Sequence, residues 1–250
     1  MDDRRTSTPS KRFGKRFRAI ALALLLILVG AAAFYVHIGY YYGAVFHERP
    51  VLRPDPARPA IVMLSGDMGD HIGMTPAVAA RLNRRGYAIV TVNSLTYFSQ
   101  RRSPADAAAL IEGAMRRAMA LGRTDHVVLI GQSFGADMLH AGLAHMAARD
   151  RAPVRAVVLV VPGDDIIFRA SPIELAGLET PDARALPTAS QLAWAPVTCI
   201  WGRKESDSLC PELALPNLRK VPLPGGHRLN FDDAALTAAM LPAIQQQGSE

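Results

Sequence analysis

The chain has 250 residues, of which half are apolar and a fifth are charged, as in globular rather than disordered proteins. Its net charge of +6 is concentrated in residues 1–18, which hold seven basic side chains against two aspartates. The other 232 residues therefore carry only +1, and this balance excludes the basic face that a nucleic-acid-binding domain needs. We expect one sizeable domain with an N-terminal appendage.

Residues 19–38 (AIALALLLILVGAAAFYVHI) contain no Asp, Glu, Lys, Arg or Pro. One histidine, His37, lies near the end of this stretch. Twenty helical residues span roughly 30 Å, the thickness of a bilayer core. The basic tail 1–18 should stay in the cytoplasm, and a tyrosine-rich stretch suits the far interface (Tyr35, Tyr40, Tyr41 and Tyr42). The pattern favours a transmembrane anchor over a cleaved signal peptide, and both readings export the rest of the chain.

A proline-rich stretch at 39–58 predicts an extended linker, and the domain proper should occupy residues 59–247. Within it, short apolar runs alternate with longer helical patterns, which indicates a mostly parallel sheet with helices on both faces. Residues 164–192 break this rhythm and should cap the site. The predicted strands are 60–65, 87–93, 126–131, 154–161, 197–201 and 218–223, and the predicted helices are 75–85, 104–121, 134–149 and 232–246.

Residues 131–135 (GQSFG) fit the pattern G-x-S-x-G. The pattern alone is weak, but here it lies where a predicted strand ends and a predicted helix begins, the context of a nucleophile elbow. The two glycines suit a sharp turn that leaves no room for a Cβ. We therefore predict an α/β-hydrolase fold with Ser133 as the nucleophile of a serine carboxylic-ester hydrolase.

A serine hydroxyl needs a base to take its proton and a carboxylate to orient that base. In this fold the chain order is Ser, acid, His. Beyond the elbow helix, His227 is the one histidine that follows Ser133, and it lies in a loop before the last helix. The acid should follow the strand 197–201, where Asp207 is favoured and Glu205 is the alternative.

The oxyanion of the reaction also needs donors. The amide of Phe134, directly after the nucleophile, is one candidate, and the amide of Asp67, in the turn after the first strand, is the other. Chemistry of this kind requires neither a cofactor nor a metal.

Cys199 and Cys210 are the two cysteines of the chain. In an oxidising compartment they are plausible disulfide partners, and the loop they close would contribute roughly 2–3 kcal/mol. Without a nearby histidine pair, they do not indicate a structural zinc site.

Four strings in order resemble the VirJ/AcvB family of bacterial virulence-associated proteins: VNSLTYF (92–98), GQSFGADML (131–139), the segment from Cys199 to Pro211, and LPGGH (223–227). The resemblance implies an exported α/β-hydrolase domain with Ser133, Asp207 and His227 as its triad. It further implies hydrolysis of aminoacyl-phosphatidylglycerol, lysyl-phosphatidylglycerol in particular, in the periplasm at the bacterial inner membrane, and a link to type IV secretion. Where the family tends to have Ser-Gly-Asp-Gly-Gly, this chain has Met68 at the fourth position.

A lysyl ester is cationic and should be bound by carboxylates. Five aspartates fall on segments expected at the carboxyl edge of the sheet, where ligands bind in open α/β folds, and Asp137 on the elbow helix is the strongest candidate among them. The five are Asp67, Asp70, Asp137, Asp164 and Asp165. Two alternatives stay open: a broader periplasmic esterase or thioesterase, and a non-catalytic accessory protein that binds secretion-system proteins.

Overall fold

The computed structural model describes residues 11–40, 42–171 and 179–245. Its internal contacts divide the chain after Ile38 into two units, which are described separately.

The first unit is a single long helix, α1 (Lys11–His37). Its segment Gly14–His37 contains an 18-residue window with a mean hydropathy of 2.7, none of which is buried. The helix begins in the basic stretch, before the predicted span 19–38, and continues through Gly14. By length and composition the segment suits a membrane span, and a signal sequence near an N-terminus has the same properties.

The second unit is built on a seven-stranded sheet. All neighbouring strands are parallel except the edge strand β1, which pairs antiparallel with β3. The strands are β1 (Phe46–Arg49), β2 (Ala60–Leu64), β3 (Ile89–Val92), β4 (Val127–Gln132), β5 (Val154–Val160), β8 (Val197–Gly202) and β9 (Leu218–Leu223). Their order across the sheet is β1-β3-β2-β4-β5-β8-β9, so all six predicted strands are present.

The α-helices of the second unit, among the described residues, are α2 (Thr75–Arg84), α3 (Ser94–Tyr97), α4 (Pro104–Gly122), α5 (Phe134–His145), α6 (Leu186–Ala189) and α7 (Asp233–Gln245). Four of them pack in two pairs against the sheet. Helices α2 and α7 pack together and bury one face with side chains such as Leu82 and Met240, over strand residues such as Ile130. Helices α4 and α5 pack against each other and contact the sheet as a second pair.

Two stretches differ from the sequence prediction. The predicted linker 39–58 contains β1, in which His47 lies opposite Thr91 of β3. Its four residues FHER carry no apolar run, because an edge strand exposed on one side does not need one. The predicted cap 164–192 contains a small antiparallel sheet of β6 (Asp165–Ile166) and β7 (Ala183–Arg184), and part of it, 172–178, lies outside the described residues.

Candidate active site

Ser133 sits in a strained turn between β4 and α5. Its backbone angles, φ 53° and ψ −129°, lie in a region that L-residues other than glycine rarely adopt. The turn is held by its neighbours, since the Ser133 amide donates to the carbonyl of Val160 at 2.8 Å. The strain points the hydroxyl out of the sheet edge, as in a nucleophile elbow.

The glycines on either side of Ser133 make this turn possible. A Cβ on Gly131 would lie 2.5 Å from the carbonyl oxygen of Gly135, and a Cβ on Gly135 would lie 2.3 Å from that of Ser65. Neither position therefore accepts any side chain. The spacing of the glycines in the sequence thus reflects a real steric requirement at the elbow.

Ser133 and His227 are directly hydrogen-bonded. Ser133 Oγ lies 2.7 Å from His227 Nε2, and on the other side of the ring His227 Nδ1 lies 2.7 Å from Glu205 Oε1. The histidine comes from the loop after β9 and the glutamate from the loop after β8, so three separate strand ends meet here. The imidazole links a hydroxyl to a carboxylate in a continuous chain.

The carboxylate in this chain is Glu205, whereas the sequence favoured Asp207. The tight turn after β8 explains the difference. The Glu205 amide donates to the Gly202 carbonyl, which folds the side chain back so that its Oε2 accepts from the Gly202 amide at 2.7 Å. The Glu205 side chain is consequently only 3% exposed. Asp207 is exposed, and its carboxylate makes no hydrogen bond or ion pair with the residues that the structure describes.

The charge of His227 is influenced by this arrangement. The hydrogen bond that His227 donates to Glu205 is the main cause that raises the pKa of His227 above its ordinary value, although burial opposes it. The negative charges of Glu205, Asp67 and Asp207 raise the pKa further. Asp207 thus lies close enough to act on the imidazole without bonding to it.

The predicted disulfide between Cys199 and Cys210 is present. Cys199 belongs to β8 and Cys210 follows the loop that carries Glu205, and both are fully buried. The bond closes the ends of this loop on each other, so it restricts the position of the Glu205 carboxylate.

The turn after β2 passes beside Ser133. A Cβ on Gly66 would be 3.6 Å from the Cβ of Ser133, an ordinary contact distance. Burial raises the pKa of the Asp67 carboxyl, and hydrogen bonds from the Met68 and Asp67 amides partly oppose that rise. The Phe134 amide lies at the start of α5, directly after Ser133.

An acidic cavity of about 390 Å³ opens next to Ser133 and His227. Its acidic lining residues are Asp67, Asp137, Asp164, Asp165 and Asp207. Arg184 pairs with Asp164 and Asp165, and Asp137 accepts a hydrogen bond from the Gly163 amide. The expected fifth aspartate, Asp70, does not line this cavity, because its side chain is buried beneath β1 and bonded there to His47.

A second cavity, also of about 390 Å³, shares Asp67, Ser133 and His227 with the first. The sequence did not predict this cavity. Its walls are largely apolar but also contain one arginine and, in Asp67, one carboxylate. They include Met68, Ile72, Met74, Arg228 and Phe231. The one signal for this wall in the sequence is that Arg228 directly follows His227.

Solved structures with the same fold are distant in sequence. Est1E from Butyrivibrio proteoclasticus is 15% identical, with a TM-score of 0.57, and the match covers 80% of this chain and 94% of that one. The α/β-hydrolase GrgF from Penicillium sp. sh18 is 14% identical, with a TM-score of 0.59 over 80% of this chain and 97% of its own. At these identities the likeness establishes the α/β-hydrolase fold.

No curated protein matches the chain by sequence. The profile of the VirJ family, described as a bacterial virulence protein, matches residues 59–248, which include the strained serine, the Glu205 loop and His227. The chain belongs to the VirJ family.

Proposed function

We propose that this protein is a serine hydrolase that cleaves carboxylic esters through an acyl-enzyme. Ser133 is the nucleophile, His227 the general base and Glu205 the residue that orients His227. One observation carries the proposal: the continuous hydrogen-bonded chain from Ser133 Oγ through both nitrogens of His227 to Glu205. A hydroxyl on a strained turn, bonded to an imidazole that a buried carboxylate orients, is the arrangement that activates a serine.

In this mechanism Ser133 Oγ attacks the ester carbonyl carbon while His227 Nε2 takes the hydroxyl proton. The tetrahedral intermediate collapses, His227 returns that proton to the leaving alcohol, and an acyl-serine remains. Water, deprotonated by His227, then releases the acid and restores Ser133. Glu205 orients His227 and stabilises the imidazolium that forms twice.

The amides of Phe134 and Asp67, as the sequence suggested, are the proposed donors to the oxyanion, with Met68 as an additional one. The support is that Phe134 directly follows Ser133 and that Asp67 and Met68 line a cavity together with Ser133 and His227. Fixed donors of this kind cost no reorganisation when negative charge develops in the transition state.

The proposed substrate is aminoacyl-phosphatidylglycerol, with lysyl-phosphatidylglycerol preferred. A lysyl ester carries two ammonium groups, and the cavity lined by five aspartates fits that charge. Arg184 already pairs with two of these carboxylates, whereas Asp207 is exposed and lines the cavity through a carboxylate with no partner among the described residues. We assign Asp207 to substrate binding, and Asp137 to the wall that supports it.

The second cavity suits the leaving group, phosphatidylglycerol. Arg228 offers a guanidinium to the phosphate, and Met68, Ile72 and Phe231 offer apolar surface to the lipid next to it. The two cavities meet at Ser133, so a bound ester would have its cationic acyl part on one side and its anionic lipid part on the other.

The proposed location is the bacterial inner membrane, with α1 as a single-pass anchor and the hydrolase domain in the periplasm. The apolar segment Gly14–His37 supports the anchor, and the Cys199–Cys210 disulfide supports an oxidising compartment. A tethered enzyme meets lipid head groups at high effective concentration.

The test is loss of lysyl-phosphatidylglycerol from liposomes that contain the full-length protein. Wild type should release lysine, and Ser133→Ala should lower the rate by a factor on the order of 10⁵. Ser190→Ala, an exposed serine in the cap region, is the matched control and should behave as wild type.

Equal rates for wild type and Ser133→Ala would contradict the hydrolase proposal and leave the accessory role in secretion as the better account. Equal kcat/KM for lysyl- and alanyl-phosphatidylglycerol would instead reject the lysyl preference and favour a broader esterase.

A further inference from the structure

Residues from two distant parts of the sequence converge beside the sheet edge: His47 of β1, and Asp70 and His71 of the loop after β2. One ligand atom of each lies within 4.8 Å of the others. His47 Nδ1 is 2.8 Å from Asp70 Oδ2, and His71 Nε2 is 3.8 Å from Asp70 Oδ1. The two imidazole rings are 4.9 Å apart between centroids.

The two oxygens of Asp70 are used unequally. Oδ2 accepts a hydrogen bond from Thr91 Oγ1 at 2.5 Å, besides its contact with His47. Oδ1 is buried and has no hydrogen-bond partner, although the Asp70 side chain is only 2% exposed. An unpartnered carboxylate oxygen is costly to bury, and this one faces a histidine nitrogen too distant for a hydrogen bond.

We propose that His47, Asp70 and His71 form a binding site for a divalent transition metal ion, with Zn²⁺ as its best-suited occupant. Two imidazoles and one carboxylate are ligands that Zn²⁺ accepts and that Mg²⁺ and Ca²⁺ do not prefer. Zn²⁺ places neighbouring ligands roughly 3.4 Å apart, so side-chain movements of about 1 Å complete the site. Water takes the fourth position, since the His47 and His71 side chains are 34% and 49% exposed.

The proposed metal site lies in the middle of a loop that lines the second cavity, the one proposed to bind phosphatidylglycerol. Residues 66–69 and 72–75 line that cavity, and Asp70 and His71 lie between them. A metal ion at this position would tie the loop to the edge strand β1. The proposed role is therefore to order the loop that carries the Asp67 and Met68 amides, and this role, unlike the binding itself, rests on the proposed function.

The test is Zn²⁺ binding by tag-free, full-length protein in detergent, followed by calorimetry and metal analysis. Wild type should bind one equivalent, whereas His71→Ala and Asp70→Asn should weaken binding at least tenfold. His145→Ala, an exposed histidine on α5, is the matched control and should retain one equivalent. Mg²⁺ should not compete.

Zn²⁺ at 100 times its Kd should also raise the wild-type Tm by roughly 5–10 °C and not that of His71→Ala. Hydrogen exchange in peptides that cover 66–74 should slow in wild type only. His71 is exposed, so His71→Ala should fold even if Asp70→Asn does not. Binding of less than 0.3 equivalents by folded wild type, or undiminished binding by His71→Ala, would overturn the site, whatever the esterase assay shows.

Discussion

The loops after β8 and β2 flank the same serine and are stabilised in opposite ways. The β8 loop is closed by a disulfide, and its Glu205 has both oxygens bonded, one to His227 and one to the Gly202 amide. The β2 loop contains a buried carboxylate oxygen with no partner, next to an exposed histidine. In the β8 loop the protein itself supplies partners for both oxygens of the buried carboxylate. In the β2 loop one oxygen of the buried carboxylate is left for the proposed metal ion.

This comparison has a functional meaning. The hydrogen bonds of the proposed triad are formed in the protein alone, because the disulfide and the turn at Gly202 restrict the Glu205 side chain that bonds His227. The donors and apolar wall contributed by the β2 loop lack such restriction. Preorganisation is therefore uneven around Ser133, and each of the following experiments tests one part of that contrast.

The largest effect should be a loss of kcat on removing the charge of Glu205, whereas removing the charge of Asp207 should mainly change KM. Glu205→Gln keeps the shape of the side chain but removes the charge that orients and stabilises the imidazolium, so kcat should fall on the order of 10³–10⁴-fold. Asp207→Asn should leave kcat within about threefold and raise KM for lysyl-phosphatidylglycerol about tenfold, the effect of losing about 1.4 kcal/mol of binding. Steady-state kinetics on liposomes measures both. The opposite pattern would restore Asp207 as the acid.

The pH dependence should show a smaller effect of the same origin. His227 must be neutral to act as a base, and its pKa is raised mainly by Glu205, so kcat/KM should fall as the pH decreases through this raised pKa. Removing the charge in Glu205→Gln should move the acidic limb of the profile to lower pH. Asp207→Asn should move it in the same direction by less, because Asp207 is the weakest of the groups that raise the pKa. An unchanged limb in Glu205→Gln would mean that the profile reports another group.

The smallest effect should come from opening the disulfide. Reduction of wild type should lower the free energy of unfolding by about 2–3 kcal/mol, since the unfolded chain regains the freedom of the closed loop. The Tm should fall by roughly 4–12 °C. Denaturant titration and thermal unfolding measure this loss, and the Cys199→Ala/Cys210→Ala variant supplies a second, reductant-free comparison.

Zn²⁺ binding should survive that opening, because the proposed ligands lie in β1 and the β2 loop rather than in the β8 loop. Loss of Zn²⁺ binding on reduction would show that the two loops depend on each other. Unchanged stability on reduction would show that the β8 loop does not need the bond.

Local pattern determined much of this protein in advance. Apolar runs predicted five of the six parallel strands, because a strand covered on both faces is buried along most of its length. The sixth, β9, was also predicted, although this edge strand has no fully buried residue. The elbow could be predicted because the turn around Ser133 sterically requires two glycines. His227 could be predicted because it is the one histidine that follows Ser133 beyond the elbow helix. The disulfide was predicted from two cysteines in a chain that the sequence led us to expect in an oxidising compartment.

Tertiary structure decided what depends on contacts between distant segments. The sequence favoured Asp207 over Glu205, and only the turn that folds Glu205 onto Gly202 places Glu205 rather than Asp207 against His227. β1 lacks an apolar run, and its pairing with β3 is what defines it as a strand. The residues His47, Asp70 and His71 are unremarkable along the chain; the sheet brings His47 to the other two, since a histidine opposite Thr91 in register necessarily meets the carboxylate that Thr91 binds.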